Sequence, residues 1–429
     1  MIPGPTPRLA EERRFTRWRE LFSLFVFAVV LAPIYLVTRL LTSMLRLARW
    51  HKWSARLRQA LRIRRRVLFL EPLFPQTSGH VYRVARWADM LESRGFRSRI
   101  RHPMSERAMR RLLDGGWIGL FYAAYLLRRW FQCLTAPFFN CVVVRRELLL
   151  YNDYGDLFLE RFLLALNPNV MLDFDDDISA AKGEPRELTR VGRLLRENPT
   201  KFKETLRLYP RFVAGSRYLE DLAKRERGDL TPADTVVIPT CVDYHELPGK
   251  RYTGSDGRLT FGWIGTNGNL PNLEELMPEL EALSHDVPLK LLVISGRDLG
   301  VAATFPVENR RWSLDTQIAD LLDIDIGLMP LHDTLRERGK CGFKLIQYMG
   351  LGIVGVASAV TTNREIVTDG MNGFLVEPGA GWSEPLRHVA RRRPEFEQIG
   401  AAARDRVKSA YSFDAHTDAY TRFVAGACA

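Results

Sequence analysis

The chain has 429 residues, 46% of them hydrophobic, which is too long for one average domain and apolar enough for two cores. Its five cysteines are scattered without a CxxC pair or a cysteine–histidine cluster, so they support reduced intracellular thiols rather than a disulfide framework or a zinc site. Residues 1–66 hold 15 Lys and Arg against three acidic residues, which equals the net charge of +12 for the whole chain. The rest of the chain is neutral, which argues against a nucleic-acid-binding protein.

The basic N-terminal segment contains an uncharged apolar run at residues 21–37. A spanning helix needs ~20 apolar residues, range roughly 17–25, so this run is just long enough. Beyond it, leucine, tryptophan and arginine alternate to Arg66 and favour a basic amphipathic helix on anionic lipid. More positive charge follows the run than precedes it, so a single span would leave the domains on the cytoplasmic side. We expect membrane attachment, either as a span or as a re-entrant hairpin broken at Pro33; a buried core helix is the alternative.

The first folded unit is predicted to be a strand at residues 67–70, a loop containing Gly79 and a helix at residues 81–92. A strand, a glycine-containing loop and a helix open many nucleotide-binding α/β domains. A single glycine is a weak signal, and an ordinary loop between a strand and a helix explains it equally well.

Two later strands of the first half end in charged residues. After an aromatic core helix at residues 117–139, a strand at 141–144 ends in Arg-Arg-Glu, and another at 170–172 ends in the acidic run DFDDD. Four carboxylates at the end of one strand are costly to hold together unless a positive group or a ligand compensates them. Some of them could simply cap the next helix, but we expect a functional role for at least one.

The second half repeats the alternation of strands and helices after a polar linker at residues 249–258, starting with the strand LTFGWIG and the loop TNGNLP. This pattern predicts two doubly wound α/β halves. The predicted organisation is the N-terminal segment 1–66, an N-terminal domain 67–248, a C-terminal domain 259–408, and a C-terminal helix 409–429 that packs back across the domains.

Residues 339–376 carry the strongest functional signal. A helix at 343–349 follows the sequence Gly-Lys-Cys-Gly and precedes a buried strand at 353–357. Lys340 and Lys344 flank Gly342 at the start of this helix. Free backbone amides, a glycine that permits close approach and two ammonium groups suit a diphosphate, which makes a nucleotide the expected ligand.

The ordered series of these segments resembles glycosyltransferase family 4 over residues 67–427. The resemblance rests on LFLEPLFPQTSGHVYRVARWADMLESRGF, VVVRREL, MLDFDDDI, VIPTCVDYHEL, GWIGTNGNLPNLEEL, RRWSLDTQIADLLDIDIGLMPL and RGKCGFKLIQYMGLGIVGVASAVTTNREIVTDGMNGFLV. It implies an α/β GT-B fold, in which two Rossmann-like domains face a cleft. It also implies transfer of a sugar from a nucleotide-sugar with retention of configuration, with the nucleotide-sugar as co-substrate and no metal or other cofactor.

The chain departs from the family motif at two positions. The family's donor motif has two glutamates eight residues apart, at places that match Gly339 and Gln347. Gln347 can still hydrogen-bond a ribose diol, whereas Gly339 has no side chain to contact the sugar. The first donor-domain loop also lacks the arginine often found in the family, and Lys340 and Lys344 would supply that charge.

The resemblance assigns a role to each candidate residue. As catalytic residues it implies Asp175 and Asp176. As donor-binding residues it implies Gly265, Thr266, Asn267, Lys340, Gly342, Phe343, Lys344, Gln347, Glu365 and Trp312. As acceptor-side residues it implies Gly79, Arg83, Arg146 and Glu147.

The expected function is a retaining glycosyltransferase at the cytoplasmic face of a membrane. Its expected partners are a nucleotide-sugar donor, a lipid-linked or envelope glycan acceptor, and the membrane itself through the N-terminal segment, with no nucleic acid. The missing glutamates support one alternative, a membrane-tethered and catalytically degenerate GT-B-like binding or scaffold protein.

Overall fold

The computed structural model describes residues 7–113, 118–150, 156–178, 200–252 and 257–428. Parts of the predicted segments lie outside the described residues: 1–6 of the N-terminal segment, 114–117 (with Trp117 of the aromatic helix), 151–155 and 179–199 of the N-terminal domain, 253–256 of the linker and the last residue, Ala429. Two six-stranded sheets, both with parallel pairing throughout, form the cores of two lobes. The predicted α/β fold with two doubly wound halves is therefore confirmed.

The N-terminal lobe has the strand order β2-β1-β3-β4-β5-β6. In chain order its elements, with the helices before it, are α1 (Pro7–Leu47), α2 (Trp50–Ala60), β1 (Arg66–Leu70), α3 (Ser78–His80), α4 (Arg86–Ser93), β2 (Arg97–Arg101), α5 (Glu106–Leu113), α6 (Ile118–Leu134), β3 (Cys141–Arg145), α7 (Phe158–Leu166), β4 (Val170–Phe174), α8 (Lys201–Leu208), β5 (Arg211–Ala214), α9 (Arg217–Glu226) and β6 (Thr235–Val237). A π-helical turn, Val81–Ala85, joins α3 to α4.

The C-terminal lobe has the strand order β12-β11-β10-β7-β8-β9. Its elements are β7 (Leu259–Gly265), α10 (Leu270–Glu274), α11 (Met277–Ser284), β8 (Leu289–Ser295), β9 (Val307–Arg311), α12 (Gln317–Leu322), β10 (Ile326–Met329), α13 (Leu335–Arg338), α14 (Phe343–Leu351), β11 (Val354–Ser358), α15 (Thr361–Ile366), β12 (Phe374–Val376), α16 (Ser383–Arg391) and α17 (Phe396–Ala410). The last helix of the chain, α18 (Phe413–Cys428), follows α17.

Each sheet is buried on both faces by helices. In β1, Leu68 and Leu70 belong to the core on one face, whereas Val67 and Phe69 belong to the core on the other. Strands buried on both faces are apolar throughout, which is why the central strands were predicted from sequence. The charged edge strands β2 and β9 were missed, because edge strands keep one side exposed and tolerate arginine.

Helix α1 is one continuous helix of 41 residues that passes through Pro33, so the predicted hairpin broken at Pro33 is wrong. Proline removes one backbone hydrogen bond, but packing on either side of it supports the helix. Leu31 is fully buried before the proline, and Thr38 accepts a 2.9 Å hydrogen bond from Trp130 of α6 after it. Residues Ala28–Leu47 are long and apolar enough to cross a membrane, which alone is weak evidence that they do.

The chain crosses between the lobes twice. It first crosses after β6, through the segment that contains Val242, and it returns between α17 and α18. The two crossings bond to each other, because the Val242 amide donates to Tyr411 O at 3.0 Å and Val242 O accepts from the Phe413 amide at 3.3 Å. Helix α18 then packs on the N-terminal lobe, where Tyr420 lies 4.5 Å from Trp87 between ring centroids.

Candidate functional site

The two lobes meet at the carboxyl ends of their strands. Directly after β4, the Asp177 amide donates a 3.2 Å hydrogen bond to Gly339 O of the other lobe. After β6, Thr240 Oγ1 lies 3.6 Å from Cys341 Sγ. In open parallel sheets ligands bind at the carboxyl ends of strands, so this junction is the candidate site.

Arg145 and Asp175 form the centre of the N-terminal side of the cleft. Nη2 of Arg145, the last residue of β3, donates to both carboxylate oxygens of Asp175 at 3.2 Å. Nη1 of Arg145 lies 3.8 Å from Oε1 of Glu71. A Cβ atom at Gly79 would come within 2.4 Å of Arg145 Nη2, so the glycine is required for Arg145 to occupy this position.

The adjacent carboxyl groups of Asp175 and Asp176 differ in acidity. Burial opposes ionisation of Asp175, but positive charge, chiefly that of Arg145, outweighs burial and lowers the pKa of the carboxyl group. Burial raises the pKa of Asp176, and the negative charge of Asp175 raises it further. Two carboxyl groups whose pKa values move apart suit different roles, a fixed anion and a proton acceptor.

Several buried polar atoms near Asp175 have no hydrogen-bond partner among the residues that the structure describes. They are Nε of Arg145, Nε of Arg146, Oε2 of Glu71 and Nδ1 of His80. Buried polar atoms are nearly always paired in folded proteins. Four unpaired atoms at one sheet edge therefore indicate a place for a polar ligand or ordered water.

Not every predicted acceptor-side residue faces the cleft. Arg83 is completely buried and forms two hydrogen bonds to Asp173, at 3.0 and 2.8 Å, and a third to Ile238 O. It supports the site from beneath rather than offering a contact to a ligand. Glu147 lies 3.4 Å from Lys201, whereas the charge of Arg146 acts on Asp175 and Asp176.

Helix α14 begins the C-terminal side of the cleft. Gly342 precedes its first residue, Phe343, with φ of 70°, in the left-handed region that favours glycine. A Cβ at Gly342 would also approach Ile366 Cδ1 to 2.3 Å. The glycine therefore allows the amides at the start of this nine-residue helix to face the cleft.

The two lysines lie in the cleft and are not directed into bulk solvent. Lys344 Nζ lies 4.4 Å above the centroid of the Trp263 ring, and burial, followed by the charge of Lys340, lowers its pKa to about 7. Lys340 Nζ lies 2.5 Å from Glu337 and donates to Asn269 Oδ1 at 3.0 Å. Both lysines interact electrostatically with Asp176, so the ammonium groups and the carboxylates occupy one site.

The predicted loop after β7 lines the same side. Gly265 allows Trp263 to pack beneath Lys344, because a Cβ at position 265 would meet the ring at 2.5 Å. Thr266 leads into a short 3₁₀ helix, and Asn267 accepts a 3.4 Å hydrogen bond from the Ser295 hydroxyl. Asn269 at its end accepts the hydrogen bond from Lys340.

Gln347 belongs to a network that the sequence did not predict. Gln317 Oε1 accepts hydrogen bonds of 3.4 Å from both Gln347 Nε2 and Trp312 Nε1. Gln317 Nε2 donates at 3.2 Å to the hydroxyl of Tyr82, which belongs to the other lobe. Tyr82 also contacts the ring of Phe343, with centroids 4.7 Å apart. The network therefore links the lobes at the predicted ribose position.

Gly339 and Glu365 occupy surroundings different from those expected. A Cβ at Gly339 would lie 2.2 Å from Asp177 Cβ, so the absent side chain leaves room for the neighbouring lobe. Glu365 is exposed, and its charged neighbours are Arg217, Asp221 and Arg406 rather than the two lysines.

Sequence reasoning missed Arg145, Tyr82, Gln317 and Asp177 as site residues. Arg145 stood beside the predicted Arg146, and its position as the last buried residue of a strand was the signal. Tyr82 and Gln317 are 235 residues apart, and no local pattern signals such a contact. No group of His, Cys, Asp and Glu that could hold a metal ion occurs in the part of the chain that the structure describes.

Solved structures resemble this arrangement of two lobes. Sucrose-phosphate synthase from Thermosynechococcus elongatus aligns with a TM-score of 0.61 and 11% identity, over 84% of this chain and 98% of the other. A glycosyltransferase from Rickettsia africae aligns with a TM-score of 0.58 and 12% identity, over 85% and 98%. HepE from Anabaena in complex with UDP-glucose aligns with a TM-score of 0.51 and 12% identity, over 84% and 98%.

These neighbours are GT-B glycosyltransferases. This chain has the GT-B fold. Neither a protein-family model nor a curated protein matches the sequence, so the comparison extends to the fold alone.

Proposed function

We propose that the protein is a retaining glycosyltransferase of family 4 that transfers a sugar from a nucleotide-sugar to a membrane-associated acceptor. The observation that carries the proposal is that Asp176, with its raised pKa, shares the interlobe cleft with Lys340 and Lys344. Retention of configuration rests on the sequence resemblance. The GT-B fold adds support, and the UDP and UDP-glucose complexes of HepE make uridine nucleotides the first donors to test.

The C-terminal side of the cleft would bind the donor diphosphate. Cleavage of the sugar–phosphate bond increases negative charge on the leaving diphosphate. Lys340, Lys344 and the backbone amides at Gly342 and Phe343 are preorganised to stabilise that charge. Gln347 would hydrogen-bond the ribose after exchanging its bond to Gln317.

The N-terminal side would activate the acceptor. For retention, the acceptor hydroxyl oxygen forms a bond to the anomeric carbon on the same face from which the diphosphate leaves, and the bond from that carbon to the diphosphate oxygen breaks with its electron pair. The hydroxyl proton passes to Asp176, whose raised pKa suits this task. Asp175 stays ionised beside Arg145 and holds the acceptor in position.

The donor site is tested by UDP binding and by turnover of UDP-, GDP- and dTDP-sugars with the full-length protein and a lipid extract. Lys344→Gln is expected to weaken UDP binding by roughly tenfold, because a charge-assisted hydrogen bond is lost. Lys290→Gln is the matched control, since Lys290 pairs with Glu308 elsewhere in the lobe. If no donor is turned over and the UDP affinity of Lys344→Gln is unchanged, the proposal that the protein is a glycosyltransferase is refuted.

The same measurement has an expected pH dependence. The pKa of Lys344 is lowered to about 7, so the free protein loses this positive charge as the pH rises through that value. UDP affinity is therefore expected to fall as the pH rises from 6 to about 8, because binding then requires uptake of a proton. Lys344→Arg should bind UDP without this fall, since arginine stays charged; an identical fall in the arginine variant would contradict the assignment.

A non-catalytic scaffold is the second candidate. One observation in its favour is that Asp177 lies against Gly339 and fills the place of a motif glutamate. Another is that Gln347, at the place of the second glutamate, already donates a hydrogen bond to Gln317. A scaffold would bind UDP through Lys344 without turning over any donor, so the two measurements above separate the candidates.

We propose that α1 holds the protein on the cytoplasmic face of a membrane and lies along its surface. Its inner residues Leu31 and Thr38 are packed into the lobe, so a span across Ala28–Leu47 would carry α6 and its Arg128 into the bilayer. Its outer face carries exposed apolar residues at helical spacing, including Leu36, Leu40 and Leu47.

Changing these three leucines to glutamine in the full-length protein is expected to reduce recovery with anionic vesicles by roughly tenfold or more, since each buried leucine contributes about 1.5–3 kcal/mol. A matched control carries glutamine at three apolar residues exposed on the other lobe, Val301, Leu335 and Met371. Equal losses in both triple variants would exclude α1 as the membrane-binding face.

A further inference from the structure

A groove separate from the donor side lies between the carboxyl end of β2 and helix α6. Its volume is about 650 Å³, and Ile100, Met104 and Phe131 provide apolar walls. Gln76 and Ser105 add polar groups at its rim. Neither the donor chemistry nor the contacts between the lobes uses this groove.

Two arginines give the groove a positive charge. Arg101 and Arg128 both line it, and among the described residues neither has a carboxylate partner. Burial, and then the positive charges of Arg99 and Arg128, lower the pKa of Arg101. The acidic lining residue Glu106 is already paired with Arg110 at 2.6 Å. Two guanidinium groups that line one groove, without a carboxylate partner in the described part of the chain, suit a phosphate.

The outer end of the groove joins an apolar surface. Phe131 lines the groove and is 61% exposed, and it belongs to a stripe along α6 that includes Leu120, Leu127 and Leu134. These positions recur at helical spacing and share one face of the helix. Helix α1, with its own exposed apolar face, packs alongside α6. The groove therefore opens beside the surface that we assign to the membrane.

The inner end of the groove lies next to the candidate site. His102 lines the groove, and its ring lies 4.8 Å from the ring of His80. Burial, then His102 and Arg145, lower the pKa of His80 to about 4, so its ring is neutral at pH 7. Nδ1 of His80 is buried without a partner, and the neighbouring Arg145 bonds Asp175. His80 and Arg145 thus stand between His102 in the groove and the carboxyl group of Asp175.

We propose that this groove binds the phosphate headgroup of a membrane-embedded amphiphile, with Arg101 and Arg128 on the phosphate and its apolar chain along the exposed face of α6. The role of this amphiphile as acceptor rests on the proposed function, whereas its binding does not. A phosphate-bearing lipid seated here has its headgroup beside His102, on the side of the groove next to His80.

The experiment uses the full-length protein on phosphatidylcholine vesicles that contain a photoreactive phosphatidic acid, with no sugar donor. Crosslinked peptides are mapped by mass spectrometry, and labels are expected in residues 100–106 and 128–135. The double variant Arg101→Gln and Arg128→Gln should lower this labelling by about tenfold or more, since each basic residue contributes near an anionic surface. The control, Arg97→Gln with Arg107→Gln, removes two exposed arginines outside the groove and should label as the wild type does.

Three results would overturn the proposal: labels confined to α1, equal losses in the two double variants, or equal labelling by a photoreactive phosphatidylcholine. Inorganic phosphate is added at the concentration of the lipid phosphate, and complete protection by it would assign the groove to a soluble phosphate instead. Equal melting temperatures for both double variants confirm that the fold is retained. Because no donor is present, failure here leaves the glycosyltransferase proposal intact, and labelling without turnover would refute only the acceptor role.

Discussion

Replacing Asp176 with asparagine is expected to lower kcat by about 10²- to 10⁴-fold, the range typical of a lost general base. Asparagine keeps the size of the side chain but cannot accept the acceptor proton. UDP affinity should change little by comparison, because the diphosphate is bound by the lysines of the other lobe. Turnover of the best donor and equilibrium binding of UDP are the two measurements.

The pH dependence gives an independent check. The pKa of Asp176 is raised by burial and by Asp175, and the carboxylate accepts a proton only when it is ionised. Wild-type kcat should therefore rise with pH through this pKa, and the rise should be absent in Asp176→Asn. Asp229→Asn is the control, since Asp229 is exposed and paired with Arg227 away from the cleft. Full activity of Asp176→Asn would refute the assigned role.

Replacing Gly339 with glutamate, the residue of the family motif, is expected to lower activity by roughly 100-fold rather than raise it. Any Cβ at this position would lie 2.2 Å from Asp177 Cβ and 3.0 Å from its amide nitrogen. The lobes or the loop after β4 must then move, and a displacement of about 1 Å at an active site can cost roughly 100-fold in rate. Transfer by Gly339→Glu and Gly339→Ala should fall together, since both carry a Cβ.

Gly268→Ala is the matched control, because it lies in a loop of the same site and a Cβ there would meet no atom within 4 Å. Its activity should stay close to that of the wild type, and both lobes should keep their melting behaviour in all three variants. Higher activity in Gly339→Glu would indicate that the contact with Asp177 is absent from the catalytic arrangement.

The elements that could be predicted from the sequence are those whose signal lies in their own residues. Strands β1, β3, β4 and β11 are buried on both faces and therefore read as continuous apolar runs. The left-handed backbone conformation of Gly342, before α14, was also predictable, because glycine is the residue that most readily adopts a positive φ. Edge strand β2, with the sequence RSRIR, carries no such signal and is defined by its pairing with β1.

The site was predicted only in part, because long-range contacts decide the direction of its side chains. Arg83 was predicted to contact the acceptor, but its guanidinium group is instead bound to the carboxylate of Asp173, 90 residues away in the sequence. The alternative of a hairpin at Pro33 was wrong for a similar reason, since contacts with α6 and α7 support α1 as one continuous helix through the proline. The sequence indicated which types of functional side chain the site contains, whereas tertiary contacts determine which of those side chains lie next to each other.

The two chain crossings limit how the two lobes can move apart. They are hydrogen-bonded to each other at Val242, so together they form a two-stranded hinge at one side of the molecule. A single connecting strand would permit the lobes to twist as well as to swing, but a paired connection restrains the twist. A closing movement about this paired connection would return Tyr82 to Gln317 and Asp177 to Gly339 in the same register.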